Sequence, residues 1–241
     1  MITKNVTFAS GIALLAILMA VGMAQGAATL VVCDCRACGC QYLSIQEAID
    51  GASPGDTVLV RSGNFHGNID VSKPIIIKGE KWKGCDLPLI DADGNGSSIT
   101  VSADGATVEN IRVTNSGNES GDAGIRVVCS GSTIRDNYAF GNDGSGITLE
   151  GAKNCTVFAN VAEDNSRGIG LISSEGNVLS NNRLYNNAED AFDDGKNRWD
   201  DGGVGNYYAS FSCADENNDT ICDSVYQIPG GESVDALPLV G

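Results

Sequence analysis

Oxygen donors at regular spacing mark the C-terminal tail of this chain. In Asp215-x-Asn217-x-Asp219-x-Ile221-x-Asp223, side-chain oxygens stand at positions 1, 3, 5 and 9, with the Ile221 carbonyl at position 7. This matches the first part of a calcium loop, because that hard cation gathers roughly six to eight oxygens. Thr220 occupies the usual glycine position and Tyr226 stands where a bidentate Glu is expected. Asp235 or water must therefore complete the shell. Cys213 and Cys222 flank the loop, and a disulfide between them would staple it. The expectation is a structural calcium ion, with a solvated acidic loop as the alternative. Asp91-x-Asp93-x-Asn95-Gly96 is similar, but Ser and Ile follow it, so it reads as a turn between coils.

Sulfur and nitrogen donors are more restricted. Cys33, Cys35, Cys38 and Cys40 crowd into one short stretch. In an oxidising compartment they read as disulfides, whereas reduced they would suit zinc or cuprous copper. Four cysteines so close do not all pair easily with immediate neighbours, which leaves partners elsewhere, or on another chain, open, and spacing alone does not give the connectivity. The total of nine is odd and leaves at least one thiol free or intermolecular, a route to self-assembly. His66 is the single histidine and reads as a solvated turn residue. Met1, Met19 and Met23 all lie in the leader, so copper or zinc is not the expected cofactor.

Catalytic groups are scarce. Paired carboxylates hydrolyse glycosidic bonds, and carboxylates with calcium and Arg support lyases. Only Asp193, Asp194, Arg198 and Asp200 offer such a set, as a polysaccharide hydrolase or lyase. Elsewhere Glu150, Glu163 and Asp164 lack acidic neighbours in the repeats described next. A capping role for the tail is the preferred reading, and no catalytic residue is assigned. Trp199, Tyr207 and Tyr208 read as a hydrophobic plug on the last coil, with a sugar-stacking platform as the alternative.

The elements that would carry these groups follow from a repeat. Gly124-Ile125-Arg126-Val127, Gly146-Ile147-Thr148-Leu149 and Gly168-Ile169-Gly170-Leu171 recur with one constant spacing, and Ile134, Val157 and Leu179 keep the same phase. Asn137, Asn160 and Asn182, then Asn142, Asn165 and Asn187, recur with them. Such short alternating strands cannot bury their own apolar edge, but stacked copies can. The fold class is therefore all-β: a single-stranded right-handed parallel β-helix, a solenoid of about 22 residues per coil, with a short N-terminal capping helix. Ser44-Ile45-Gln46-Glu47 is a capping box opening that helix, from Ile45 to about Ala52. The divisions are a secretory signal over 1–28, an N-terminal cap over 29–73, coils over 74–192, and an acidic cap over 193–241.

Composition sets the compartment and partners. Residues 1–28 carry one charge, Lys4, then an apolar stretch and small residues, the pattern of a secretory signal. The chain is expected to be secreted or at the cell surface, touching membrane only through that segment if uncleaved. Acidic residues outnumber basic ones 31 to 15, giving a net charge of −16 over 241 residues. Nucleic acid is excluded as a partner, since it needs a basic stripe. Envelope polysaccharide or other surface proteins are expected instead. Residues 189–223 hold ten carboxylates against Lys196 and Arg198, half of the whole net charge. Sequons begin at Asn95, Asn118, Asn154 and Asn218.

Several of these segments resemble a known family. Tyr42-x-Ser44-Ile45-Gln46-x-Ala48-Ile49, Gly55-Asp56-Thr57-Val58 and Ile75-x-Ile77-Lys78-Gly79 look like the entry to NosD-like parallel β-helix proteins. Trp199, Gly205-Asn206-Tyr207-Tyr208, Ile228-Pro229-Gly230-Gly231 and Asp235-x-x-Pro238-Leu239 are similar to the closing segment of its archaeal cell-surface members. The resemblance implies a β-helix in the envelope. Its copper-enzyme association has few donors here to attach to, and the expected role is structural, adhesive or glycan-binding.

Overall fold

The structure, a computed structural model, describes residues 26–241. The expected secretory signal lies almost wholly outside the described residues. Among those described, no helix is long and apolar enough to cross a membrane.

The chain winds into a parallel β-solenoid of about seven turns, with about 23 residues per turn. Three sheets run its length. An eight-stranded sheet starts at Thr29–Val32, a seven-stranded one at Asn64–His66 and a six-stranded one at Ile69–Val71. Apolar residues stack inward in register, as in Ile99, Ile125, Ile147 and Ile169. Each is fully buried. Stacking reaches beyond the expected 74–192 on both sides. Thr29–Val32 already pairs with Thr57–Arg61, and Tyr207–Tyr208 still pairs with Arg183–Tyr185. The early coils were obscured because their spacing differs from the regular phase of the middle.

The glycines and asparagines of the repeat have one shared reason. Asn137, Asn160, Asn182 and Asn206 form a buried ladder in which each side-chain oxygen accepts the backbone N–H of the Asn one coil before. Each side-chain nitrogen then donates to the next oxygen along. Buried corner amides are thus satisfied without water. Asn142, Asn165 and Asn187 repeat the scheme. A third ladder, Asn177 to Asn197, was not apparent in the sequence. Gly146 and Gly168 keep the space beside the second ladder open. A Cβ on either would stand 2.9 Å from the Asn165 or Asn187 amide nitrogen.

Every ladder ends on an aspartate. Asn206 donates to Asp235 Oδ2, Asn187 to Asp190 Oδ1 and Asn197 to Asp193 Oδ1. An ionised carboxylate only accepts, which suits the last position of a row of donors.

Both ends are capped. Helix Ile45–Gly51 buries Ile45, Ala48 and Ile49, and Ser44 Oγ accepts the Glu47 N–H. It covers a sheet end that would otherwise offer unpaired strand groups. Beside it Cys33 bonds to Cys40 and Cys35 to Cys38, so the partners lie within the cluster and not elsewhere. The turn Arg36–Cys38 and left-handed Gly39 reverse the chain, so the inner pair meets inside the outer one. Among the described residues Cys85, Cys129 and Cys155 remain free, the last two buried. At the other end Trp199, Tyr208 and Ile228 plug the last coil, with Tyr226 stacked 4.0 Å from Tyr208.

Candidate functional site

The acidic tail divides into groups with different tasks. Asp193 is fully buried and occupies the register position above Leu171, where an apolar residue would continue the core. Its oxygens accept from Gly195 N, Asn197 Nδ2 and Trp199 Nε1. Asp194 accepts from Ser173 N, while Asp200 accepts from Gly202 N and faces Arg198 at 3.4 Å. The four residues considered for catalysis are therefore not one constellation. Asp193 and Asp194 hold the end of the solenoid. Asp200 and Arg198 face outward with Glu232, lining a recess of about 480 Å³. Trp199 and Tyr208 are buried, so they are the plug and not a sugar platform. Tyr207 is half-buried and lies 5.1 Å from Tyr185.

The expected calcium loop is closed by the Cys213–Cys222 disulfide. Asp215 accepts from the Asp219 and Thr220 N–H groups. Asn217 Oδ1 accepts from Asp219, and Asp219 Oδ1 from Ile221. Asp223 instead turns to Glu216 N. Asp235, considered as a completing ligand, is buried at the end of the first ladder and accepts from Asn206, Leu237 and Tyr208.

Burial pushes the Asp235 carboxyl up to about 6, against the bonds from Asn206, Leu237 and Tyr208 that lower it. A carboxyl with a higher pKa folded than unfolded keeps its proton preferentially in the folded state. Its contribution to stability therefore falls as pH rises from about 4 to 6, by up to about 3 kcal/mol. We expect the stability gap between the wild type and Asp235→Asn to change over that interval. A carboxyl-carbon NMR titration with its midpoint near 4 would contradict the assignment.

A second surface was not anticipated. Between strands Ile76–Glu80 and Leu89–Asp91 the chain leaves the repeat and builds a recess of about 420 Å³. Trp82, Lys83, Cys85 and Arg112 line it, and an adjoining recess of about 300 Å³ adds Lys81 and Tyr138. The Arg61 guanidinium lies over the Trp82 ring, 3.5 Å from its centroid. Trp82 Nε1 is buried and has no hydrogen-bond partner. Four cations, Arg61, Lys81, Lys83 and Arg112, gather around these recesses, with Asp34 and Asp86 among them. The Lys81-Trp82-Lys83 triplet was the available signal, but it falls outside the repeat.

These features define a capped, disulfide-stabilised parallel β-helix whose outer face carries an aromatic groove of mixed charge. Residues 89–213, just over half of the chain, match the family model described as periplasmic copper-binding protein (NosD). The chain belongs to that family. Among solved structures it is similar to pectate lyase Pel9A, with a TM-score of 0.57 and 16% identity over 76% of this chain. It is also similar to ybhc of Escherichia coli, with a TM-score of 0.50 and 14% identity over 86% of this chain and 72% of that one. At these identities the likeness is of fold alone. The chain spans 60% of the length of the pectate lyase. No curated protein matches it.

Proposed function

We propose that this is an exported, non-catalytic envelope protein that binds an acidic polysaccharide along the groove of Lys81, Trp82, Lys83 and Arg112. The observation that carries the reading is the Trp82 indole N–H, buried without an acceptor, on a ring that lines a recess carrying Lys83 and Arg112 together with Asp34 and Asp86. An unpaired buried donor costs about 1–3 kcal/mol, which a ligand oxygen would recover. Arg112 suits a sugar carboxylate through two parallel bonds, and an aromatic face suits sugar C–H surfaces. Three disulfides fit an oxidising, extracytoplasmic location. Calcium in the Asp215–Asp223 loop belongs to the same proposal, supported by donor spacing and the disulfide staple.

The family description names copper, but the described donors do not fit cuprous copper. The clustered cysteines are disulfide-bonded, and burial pushes the Cys129 and Cys155 thiols up, keeping them protonated. A hydrolase or lyase is the second reading, and it rests on Asp200, Arg198 and Glu232 around one recess.

A glycan array run with and without calcium, scoring retention and cleavage, tests these readings. We expect retention of polyuronates without cleavage, weakened at least about tenfold by Trp82→Ala or Arg112→Ala, each of which removes one bonding group worth about 1.4 kcal/mol or more. Equal retention by both variants would remove the groove from the proposal. Product release abolished by Asp200→Asn would replace it with the enzyme reading.

A further inference from the structure

The single histidine is part of a cluster that neither the groove nor the caps use. His66 ends strand Asn64–His66, and the sheet register places Asp91 directly beside it in the next coil. Asp93 follows two residues later in a left-handed conformation, φ 56°. His66 Nδ1 lies 2.9 Å from Asp93 Oδ1. One ligand atom from each of His66, Asp91 and Asp93 lies within 4.8 Å of the other two. Among the described residues no other three His, Cys, Asp or Glu side chains converge in this way. The acidic tail, despite its charge, does not.

The spacing identifies a class of ligand. Two bonds of about 2.1 Å at a tetrahedral angle hold their donor atoms about 3.4 Å apart. His66 and Asp93, now joined by a hydrogen bond, need to part by only about 0.5 Å to share one ion of that size. Calcium takes oxygen donors at about 2.3–2.6 Å, which imidazole does not supply. One imidazole nitrogen with two carboxylates suits borderline first-row divalent ions. Asp91 is already oriented, since its Oδ1 accepts from Asp93 N and Asn115 Nδ2, each at 2.8 Å. Such outer bonds fix a ligating carboxylate. The His66 and Asp93 side chains are 62% and 58% exposed, so an ion can enter and water can fill the remaining positions.

We propose that His66, Asp91 and Asp93 form a surface site for one divalent cation of the zinc class. The site locks two successive coils together at the seven-stranded sheet and is independent of glycan binding.

Calorimetric titration of the full chain with zinc, its disulfides intact, tests the site. We expect one ion per chain, with affinity lowered at least about tenfold by His66→Ala and by Asp93→Asn. Affinity should be unchanged in Cys85→Ser and in Asp215→Asn/Asp219→Asn, which remove the competing thiol and the tail loop. Zinc should also move the Nδ1 nitrogen resonance of the lone imidazole. Undiminished binding by His66→Ala, an unmoved imidazole resonance, or no binding at roughly millimolar zinc would each overturn the proposal.

Discussion

Replacing Asn160 with Ala is expected to lower stability by about 2 kcal/mol or more, read as a reduced urea midpoint. Asn160 Oδ1 accepts from both the backbone and side-chain nitrogens of Asn137, each at 3.0 Å. Its Nδ2 donates to Ile134 O at 2.8 Å and to Asn182 Oδ1 at 3.0 Å. Truncation removes the bonds of Asn137 N and Ile134 O inside the core, whereas Asn137 Nδ2 keeps Val108 O and Asn182 Oδ1 keeps the backbone N–H of residue 160; alanine leaves too little room for waters to replace the lost bonds. Each such group costs about 1–3 kcal/mol. Because coils contact mainly their neighbours, loss of amide-exchange protection should centre on residues 134–182 and fade toward the caps. A loss below about 1 kcal/mol would mean that the ladder follows the fold and does not sustain it.

Gly79→Ala is expected to be comparably severe for a different reason. Asn110 takes a left-handed corner, φ 57°, and its carbonyl swings over the coil below. A Cβ on Gly79 would stand 1.8 Å from that oxygen, with Pro88 Cδ 3.1 Å away on another side. Neither neighbour is a flexible side-chain tip. The strand pairing of Gly79 with Val60 must open, or the corner must move, at a cost of about 3 kcal/mol or more. Gly131→Ala is the comparison: φ there is 65° and the Cβ position is open, so only backbone strain of about 1 kcal/mol is expected. Thermal melts that shift equally for the two variants would contradict the overlap argument.

The parts of the fold legible in sequence were those repeated in phase. Ile125, Ile147 and Ile169 announce an inward ladder because identical chemistry returns once per coil, and a parallel stack forces equal phases to meet. The same arithmetic identifies Asp193, which falls one full period after Leu171 and so occupies an inward position. A carboxylate there marks the end of the core, and reading it as part of an outward active site ignored its phase. Trp199 and Tyr208 became the plug because the last coil has no next coil to cover it. The N-terminal disulfides depended on one left-handed glycine, Gly39, which spacing does not encode. His66 and Asp91 were read as separate turn residues because they meet across a longer coil, before the regular period begins.

The aspartate ends of the three ladders bear on how this molecule can change in length. Each coil within the asparagine ladders hands an amide oxygen to the coil before it and an amide nitrogen to the coil after it. A duplicated coil spliced in frame near Asn160 would find both demands already met, and deletion of one would rejoin compatible neighbours. Asp190, Asp193 and Asp235 accept without passing a bond onward, so a coil added beyond them would find no amide donor waiting. The solenoid is thus punctuated: lineages can gain or lose whole turns from its middle while both termini, and whatever they contact, stay as they are.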